Sequence, residues 1–349
     1  MSIDLKSLSI SNDLPYEVRT ARFIEFFEAY LADSLNELDE AVRPYAVDSA
    51  LAGGKRIRPL LVFHFAGQND KLQNSIIKAS VILELVHLAT LIHDDILDDA
   101  HIRRNQPSMH KKIGAHAAVL LGDALFGYAL ELASQFPTTR VCAVVAEATR
   151  RTCSGEIRQT FSRGQYDISL DEYTGFINDK TGELFKASCE LGTYLSGGDE
   201  QTVQVAGMFG LSLGINYQVF DDLIDSFESQ GNSDKSLGSD WGTGKMTLPL
   251  ILLRNAASLD ERALIDKVFC GKSALSLADQ RSKICELFEK YNTLQESVTY
   301  LQDSFQSTQS MIEEFPCDSL KIDLTNFLQG FTSKFSRISN LKTSNFLAV

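Results

Sequence analysis

The chain has 349 residues, 44% of them hydrophobic, enough to bury one large core or two small ones. Its formal net charge is −13, and no block of lysine and arginine offsets it, which argues against a nucleic-acid partner. The six cysteines (Cys142, Cys153, Cys189, Cys270, Cys285 and Cys317) show no C-x-x-C spacing. They read as reduced core residues of a cytoplasmic protein rather than a zinc site or a disulfide framework.

The opening MSIDLKSLSI has no basic segment followed by an apolar core, so no targeting signal is expected. Apolar residues then recur every three or four positions, and strand-like alternation bounded by Asn-Gly or Asp-Gly turns is absent. The prediction is an all-α, single-domain bundle of roughly ten to thirteen helices. The first break is Gly53-Gly54, followed by Lys55-Arg56-Ile57-Arg58-Pro59. Glycines leave backbone N–H groups open at a helix start, and the basic side chains supply charge for an oxyanion. A helical apolar row (Leu83, Val86, Leu91, Ile92) then ends in Asp94-Asp95-Ile96-Leu97-Asp98, with Arg103-Arg104 just beyond. Adjacent arginines leaving a helix point in different directions, so each can serve a different phosphate. The longest apolar region, 115–133, is broken by Asp123 and Glu131, and no stretch is expected to span a membrane.

Past Phe136-Pro137-Thr138, a capping box, Ser169-x-x-Glu172, opens a helical stretch that contains Lys180-Thr181. After Gly197-Gly198-Asp199, a second apolar row (Leu211, Leu213, Ile215, Val219) ends in Asp221-Asp222-Leu223-Ile224-Asp225, three residues after Gln218. Residues 226–247 are rich in Gly, Ser and Asp and carry Lys235 and Lys245; so long a loop beside an acidic motif is read as a lid. Ser258-x-x-Glu261 opens the C-terminal helices (258–349), broken at Pro316, where no further motif is legible.

The two D-D-x-x-D copies carry the chemistry. Residues four apart on a helix lie about 6 Å apart along its axis, so Asp94 and Asp98 share one face, as do Asp221 and Asp225. Clustered carboxylates at the end of an apolar row repel one another unless cations neutralise them. Mg²⁺ takes one or two carboxylates and completes its shell with water and substrate phosphates. Two such clusters facing each other would hold metals and a diphosphate, with the lysines and arginines forming a second, direct anion site. A solvated acidic face is the bland alternative, and it fits poorly because both motifs interrupt hydrophobic rows.

The segments GGKRIRP (53–59), HLATLIHDDILDDAHIRR (87–104), GEIRQ (155–159), KT (180–181), YQVFDDLID (217–225) and GKMTLP (244–249) together resemble the trans-isoprenyl diphosphate synthases of the polyprenyl synthetase family. The resemblance is greatest to the medium- and long-chain bacterial enzymes. It implies an isoprenoid-synthase bundle around a central cavity, one domain over 1–349 with a motif-bearing core at about 50–250, a homodimer, and about three Mg²⁺ per active site. The reaction implied is the head-to-tail, all-trans condensation of isopentenyl diphosphate with an allylic diphosphate. By motif match, Asp94, Asp98 and Asp221 would be metal ligands, supported by Asp95, Asp222 and Asp225. Arg103, Lys180 and Lys235 would contact the allylic diphosphate, with Lys245 also on substrate. Gly54, Lys55, Arg58, His87 and Arg104 would hold isopentenyl diphosphate, and Thr181 and Gln218 would line the reaction centre.

No protein nucleophile is required, and His93 is assigned a structural role. A tunnel lined by Ile82, Val86, Ala89, Thr90 and Phe126 would receive the growing tail; Ala89 is small, which implies a product of about 20 carbons or longer. Asn105, Tyr217 and Gly182 depart from the family's usual Gly, Phe and Ala, and the terminal NFLAV lacks a basic tail. The alternatives are a short-chain farnesyl or geranylgeranyl synthase and a non-catalytic subunit of a heteromeric synthase. Cyclising terpene synthases and squalene-type synthases carry acidic patterns that this chain lacks.

Overall fold

A computed structural model of the chain describes residues 10, 11, 13–67, 74–228, 243–269 and 272–346. Lys235, Cys270 and most of the predicted lid fall outside them. The fold is all-α, as predicted. The helices outnumber the predicted range because short ones, such as α2 (Arg43–Leu51), α3 (Ile57–Phe65) and α5 (Met109–Ile113), are too brief for periodicity to separate. The longer early helices are α1 (Tyr16–Leu35), α4 (Asn74–Leu97), α6 (Ala115–Ser134) and α7 (Thr139–Phe161). After α8 (Leu170–Ile177) the chain makes one π-helical turn, Asn178–Gly182, and continues as α9 (Glu183–Leu195) and α10 (Glu200–Phe227).

The helix α4 is apolar nearly all round, and such a helix belongs in a protein core or a membrane. It packs against α3, α6 and α9, and its buried faces form one half of the core with Phe23, Phe27, Leu125 and Leu132. The other half lies around α10, whose neighbours are α9 and the helix Thr293–Ser310. Residues of α3 and α9 contribute to both halves, so the ends of α4 and α10 face each other across a common floor.

Close approach of α9 and α10 depends on glycine. A Cβ on Gly214 would lie 2.8 Å from the Cα of Gly182 and 3.1 Å from Phe185. Gly182 therefore stands where the family commonly has Ala because its own Cβ would press to 3.0 Å from Leu211.

Two helices, Asn74–Leu97 and Ala115–Ser134, are long and apolar enough to cross a membrane, where the sequence reading expected none. For Asn74–Leu97, 72% of the most apolar window is buried inside the protein, the mark of a core helix. All five described cysteines are free, but only Cys189 is buried and Cys153 and Cys317 are exposed, which corrects the reading of all six as core residues.

One small β element was not anticipated. Ile102–Arg103 and Gln106–Pro107 pair antiparallel, joined by Arg104 and Asn105, both at positive φ (52° and 59°). Two such residues make the turn that suits the twist of a tight hairpin, and Asn enters the left-handed region more readily than most side chains. Asn105 thus takes a left-handed position that the glycine expected there from the resemblance would also tolerate.

The C-terminal helices carried no legible motif, yet they close the fold. Arg19 of α1 grips Asp323 of the helix Asp318–Phe335 with two buried hydrogen bonds, 3.0 and 2.5 Å long. His64 of α3 stacks on Tyr16 at the same junction, 5.2 Å between ring centres.

Candidate active site

The ends of α4 and α10, the π turn and the Gly53–Arg58 segment surround a cavity of about 980 Å³. Of the expected site residues, Gly54, Lys55, Arg58, His87, Thr90, Asp94, Asp98, Arg103, Arg104, Phe126, Lys180, Thr181, Gln218, Asp221 and Lys245 border it. Helix geometry explains the selection. Positions 87, 90, 91, 94, 97 and 98 of the α4 end recur at three- and four-residue steps and share one face.

Three residues of the predicted tunnel do not border this cavity: Ile82, Val86 and Ala89 are at most 1% exposed. Val86 and Ile82 lie one and two turns before Thr90 on the same side of α4, below the cavity's end, whereas Ala89 faces away from it.

The acidic residues divide in the same way. Asp94, Asp98 and Asp221 border the cavity, whereas Asp95, Asp222 and Asp225 are 3–5% exposed and point into the protein. Asp95 is held by Arg103, whose Nε donates to Oδ1 at 2.9 Å. Asp222 accepts from the Tyr173 hydroxyl at 2.7 Å and from Gln218 Nε2 at 2.8 Å. The Gln218 Oε1 in turn accepts from the Thr181 hydroxyl at 2.6 Å. These inner carboxylates orient their neighbours, and the outer three are turned to the cavity.

Cations stand against the outer carboxylates. Lys180 Nζ lies 3.6 Å from Asp94 Oδ2 and closer still to Glu156. Burial raises the Asp94 pKa, helped by Glu156 and Asp98, and Lys180 only partly offsets it. At Asp98 the balance reverses. Burial opposes its charge, but Lys245, Lys180 and Arg163 prevail and hold its pKa below the usual value. Lys245 Nζ donates to Oδ2 and Arg163 Nη2 to Oδ1, both at 2.8 Å. Glu156 lay within a quoted family segment without an assigned role, and Arg163 had no signal in the sequence.

The opposite wall is basic. Lys55 Nζ donates to the Tyr217 hydroxyl at 3.3 Å, and the Arg58 guanidinium lies over the Phe185 ring at 4.9 Å. Burial lowers the Arg58 pKa to about 10, with Glu84 resisting. Burial, reinforced by Arg58, Arg104 and Arg103, pushes His87 well below the ordinary imidazole range, so it is neutral at pH 7. Arg104 donates to the Gly53 carbonyl, and a Cβ on Gly54 would meet its Nη2 at 2.8 Å. Arg56, in the same basic run, turns inward to Glu28 and Glu84, at 2.6 Å from each.

His93 borders the cavity but is held as a wall. Its Nε2 lies 3.0 Å from the Val119 carbonyl, and its ring leans on Phe126 with centres 5.7 Å apart. The C-terminal segment also reaches the rim, where Arg337 pairs with Glu228.

The polyprenyl synthetase family profile matches residues 40–286. The chain belongs to the polyprenyl synthetase family. This polyprenyl synthetase is 31% identical to heptaprenyl diphosphate synthase component 2 of Bacillus subtilis (strain 168) over 287 residues, 79% of this chain and 80% of that one. It is 27% identical to the octaprenyl diphosphate synthase of Haemophilus influenzae over 267 residues, 76% of this chain and 79% of the relative. Among solved structures, a decaprenyl diphosphate synthase from Rhodobacter capsulatus superposes with a TM-score of 0.82 at 25% identity, covering 92% of this chain and 99% of that one. A polyprenyl synthase from Caulobacter crescentus, complexed with calcium and isoprenyl diphosphate, gives 0.80 at 27% identity, covering 88% and 94%. The protein is a prenyltransferase of the polyprenyl diphosphate synthase type.

Proposed function

We propose that this synthetase joins isopentenyl diphosphate to an allylic diphosphate, head to tail and all-trans, using Mg²⁺, to give a polyprenyl diphosphate of about 20 carbons or longer. The observation that carries this reading is one cavity with carboxylates of two helices on one wall and Lys55, Arg58 and Arg104 on the other. The outer aspartates suit a hard cation: they are oxygen donors, partly desolvated, and already drawing cationic side chains to themselves. Asp94, Asp98 and Asp221 would hold Mg²⁺, about three ions as in the family. Bound metal would supply charge stabilisation to a departing diphosphate. The calcium and isoprenyl diphosphate in the Caulobacter crescentus enzyme support a divalent cation and a diphosphate ligand.

The chain's own residues do the rest. Lys180, Lys245 and Arg103 hold the allylic diphosphate, and their charge favours loss of that group and formation of a carbocation. Lys55, Arg58 and Arg104 bind the second diphosphate, and neutral His87 adds a hydrogen bond without adding charge. Thr181 and Gln218 fix the polar edge beside the reacting carbons. The isopentenyl double bond attacks, and the proton then lost passes to the released pyrophosphate, since no protein base is assigned. The tail lies along Leu91, Phe126, Cys153, Ile157 and Leu184. The heptaprenyl and octaprenyl relatives support the long product, and a geranylgeranyl diphosphate synthase among the same relatives supports the short-chain alternative.

The chain is proposed to be one cytoplasmic domain that pairs with a second copy. Exposed Val119 and Leu120 on α6 and Phe161 on α7 support such a partner surface. A heteromeric assembly is the second reading, because the Bacillus subtilis relative is named as one component of its enzyme.

The test is incubation of purified protein with Mg²⁺, labelled isopentenyl diphosphate and primers of increasing length, with chromatography of the products. A ladder above 20 carbons supports the reading, and a stop at 15 or 20 supports the short-chain alternative. No incorporation by folded protein overturns autonomous activity and points to a missing component.

A further inference from the structure

Arg163 is given no substrate or metal role above, yet it makes two hydrogen bonds at the acidic wall. It follows the end of α7, 65 residues from Asp98 in sequence. Its Nη1 donates to the Leu97 carbonyl at 3.0 Å and its Nη2 to Asp98 Oδ1 at 2.8 Å. Leu97 is the last residue of α4, so its carbonyl is one of those a helix end leaves without a partner. One guanidinium fork thus closes the helix end and fixes the carboxylate of the next residue. The loop that carries it is itself anchored, because Gly164 N–H donates to the Gly244 carbonyl at 2.9 Å, next to Lys245.

The two cations on Asp98 are not equivalent. Lys245 borders the cavity and takes Oδ2. Arg163 stands behind the carboxylate, outside the residues that line the cavity, and takes Oδ1. A group on the cavity side is in the path of any incoming cation, whereas a group behind the ligand orients it. Partners of that second kind typically change metal affinity about 10- to 100-fold when removed.

We propose that Arg163 is a positioning residue that locks Asp98 with one oxygen aimed into the cavity, and that Lys245 is the resident cation that a divalent metal displaces. The proposal rests on the reading of Asp98 as a metal ligand. It assigns opposite effects to two basic residues on one carboxylate, which a general electrostatic or structural role would not do.

The test is Mn²⁺ binding by electron paramagnetic resonance, without substrate, to wild type, Arg163→Gln, Arg163→Lys and Lys245→Gln, each checked for folding by circular dichroism and thermal melting. Arg163→Gln is expected to weaken Mn²⁺ binding about 10-fold or more. Arg163→Lys, which keeps the charge and loses the planar two-pronged fork, should fall between it and wild type. Lys245→Gln should bind Mn²⁺ as tightly as wild type or more tightly. Equal affinity in wild type and folded Arg163→Gln would overturn the positioning role, and equal weakening by Arg163→Gln and Lys245→Gln would overturn the division between them. If Arg163→Gln is too unstable to purify, Arg163→Met, which keeps the stem and removes every donor, takes its place: affinity equal to wild type overturns the role. A wild type that binds no Mn²⁺ even with inorganic pyrophosphate added sinks the metal reading itself, a result distinct from failure of the Arg163 assignment alone.

Discussion

Acid should loosen this protein through one residue, His64. Its side chain is fully buried, stacked on Tyr16 and packed against Phe63 and Phe327, where α1, α3 and the helix Asp318–Phe335 meet. Burial lowers its pKa to about 4 from 6.5, against the pull of nearby Asp323. The folded chain therefore keeps His64 neutral while the unfolded chain takes up a proton below pH 6.5. Stability is lost as pH falls from 6.5 towards 4, and the full loss approaches roughly 3 kcal/mol at 1.36 kcal/mol per pKa unit. Between pH 7 and pH 5 the same linkage amounts to about 2 kcal/mol. Urea unfolding followed by circular dichroism at both pH values, in wild type and His64→Gln, isolates this residue, because the carboxylates contribute to both proteins alike. The variant is expected to start less stable at pH 7 but to lose about 2 kcal/mol less on acidification. An equal loss in the two proteins would refute the assignment of the acid sensitivity to this buried imidazole.

Four further outcomes follow from the site and its walls. Asp94→Ala and Asp221→Ala should each lower the initial rate of labelled isopentenyl diphosphate incorporation by about 10³-fold while melting near wild type, since charge stabilisation at the leaving group is lost. Gly54→Ala places a methyl group 2.8 Å from Arg104 Nη2 at a φ of +151°, and should raise KM for isopentenyl diphosphate about 10- to 100-fold with a smaller change for the allylic substrate, read by steady-state kinetics. Phe126→Ala removes a ring from the cavity wall and should shift the product ladder upward by at least one isoprene unit on reversed-phase chromatography. Ala89→Phe inserts a ring into filled core rather than into the cavity, so it should cost about 1–3 kcal/mol in denaturant unfolding and leave the products of the folded fraction unchanged.

The parts of this protein that are local in sequence were legible before any coordinates. Periodicity identifies α4 and α10, and a four-residue carboxylate spacing at the end of each identifies the acidic wall. What escaped the sequence is set by tertiary contact. Arg56 and Arg58 are two residues apart in one basic run and both reach the cavity, yet Arg56 is committed to Glu28 and Glu84 whereas Arg58 lies over the Phe185 ring. Nothing in the run distinguishes them, because the partners lie 28 residues away in either direction. Asp94 and Asp95 divide for the same reason: adjacent residues on a helix are about 100° apart, and only the packing decides which one faces inward. The hairpin around Arg104 and Asn105 has two residues in each strand, too few for alternation to register.

The distribution of charge across the cavity bears on the direction of the proposed reaction. At one end, carboxylates and cations interleave: Asp94 with Lys180 and Glu156, and Asp98 with Lys245 and Arg163. A diphosphate alone is poorly received there, because the outer aspartates repel it until divalent cations bind. At the other end, Lys55, Arg58 and Arg104 surround a histidine kept neutral by burial and by the arginines around it, with Glu84 engaged beneath by Arg56. That end can take a diphosphate directly. On the proposed reading the two diphosphates would bind on different terms, one with metal and one without, and only the metal-bound group would meet the charge needed to leave. The asymmetry favours the proposed placement of the ionising substrate at the aspartate end and the attacking substrate at the arginine end, which is the order a head-to-tail condensation requires.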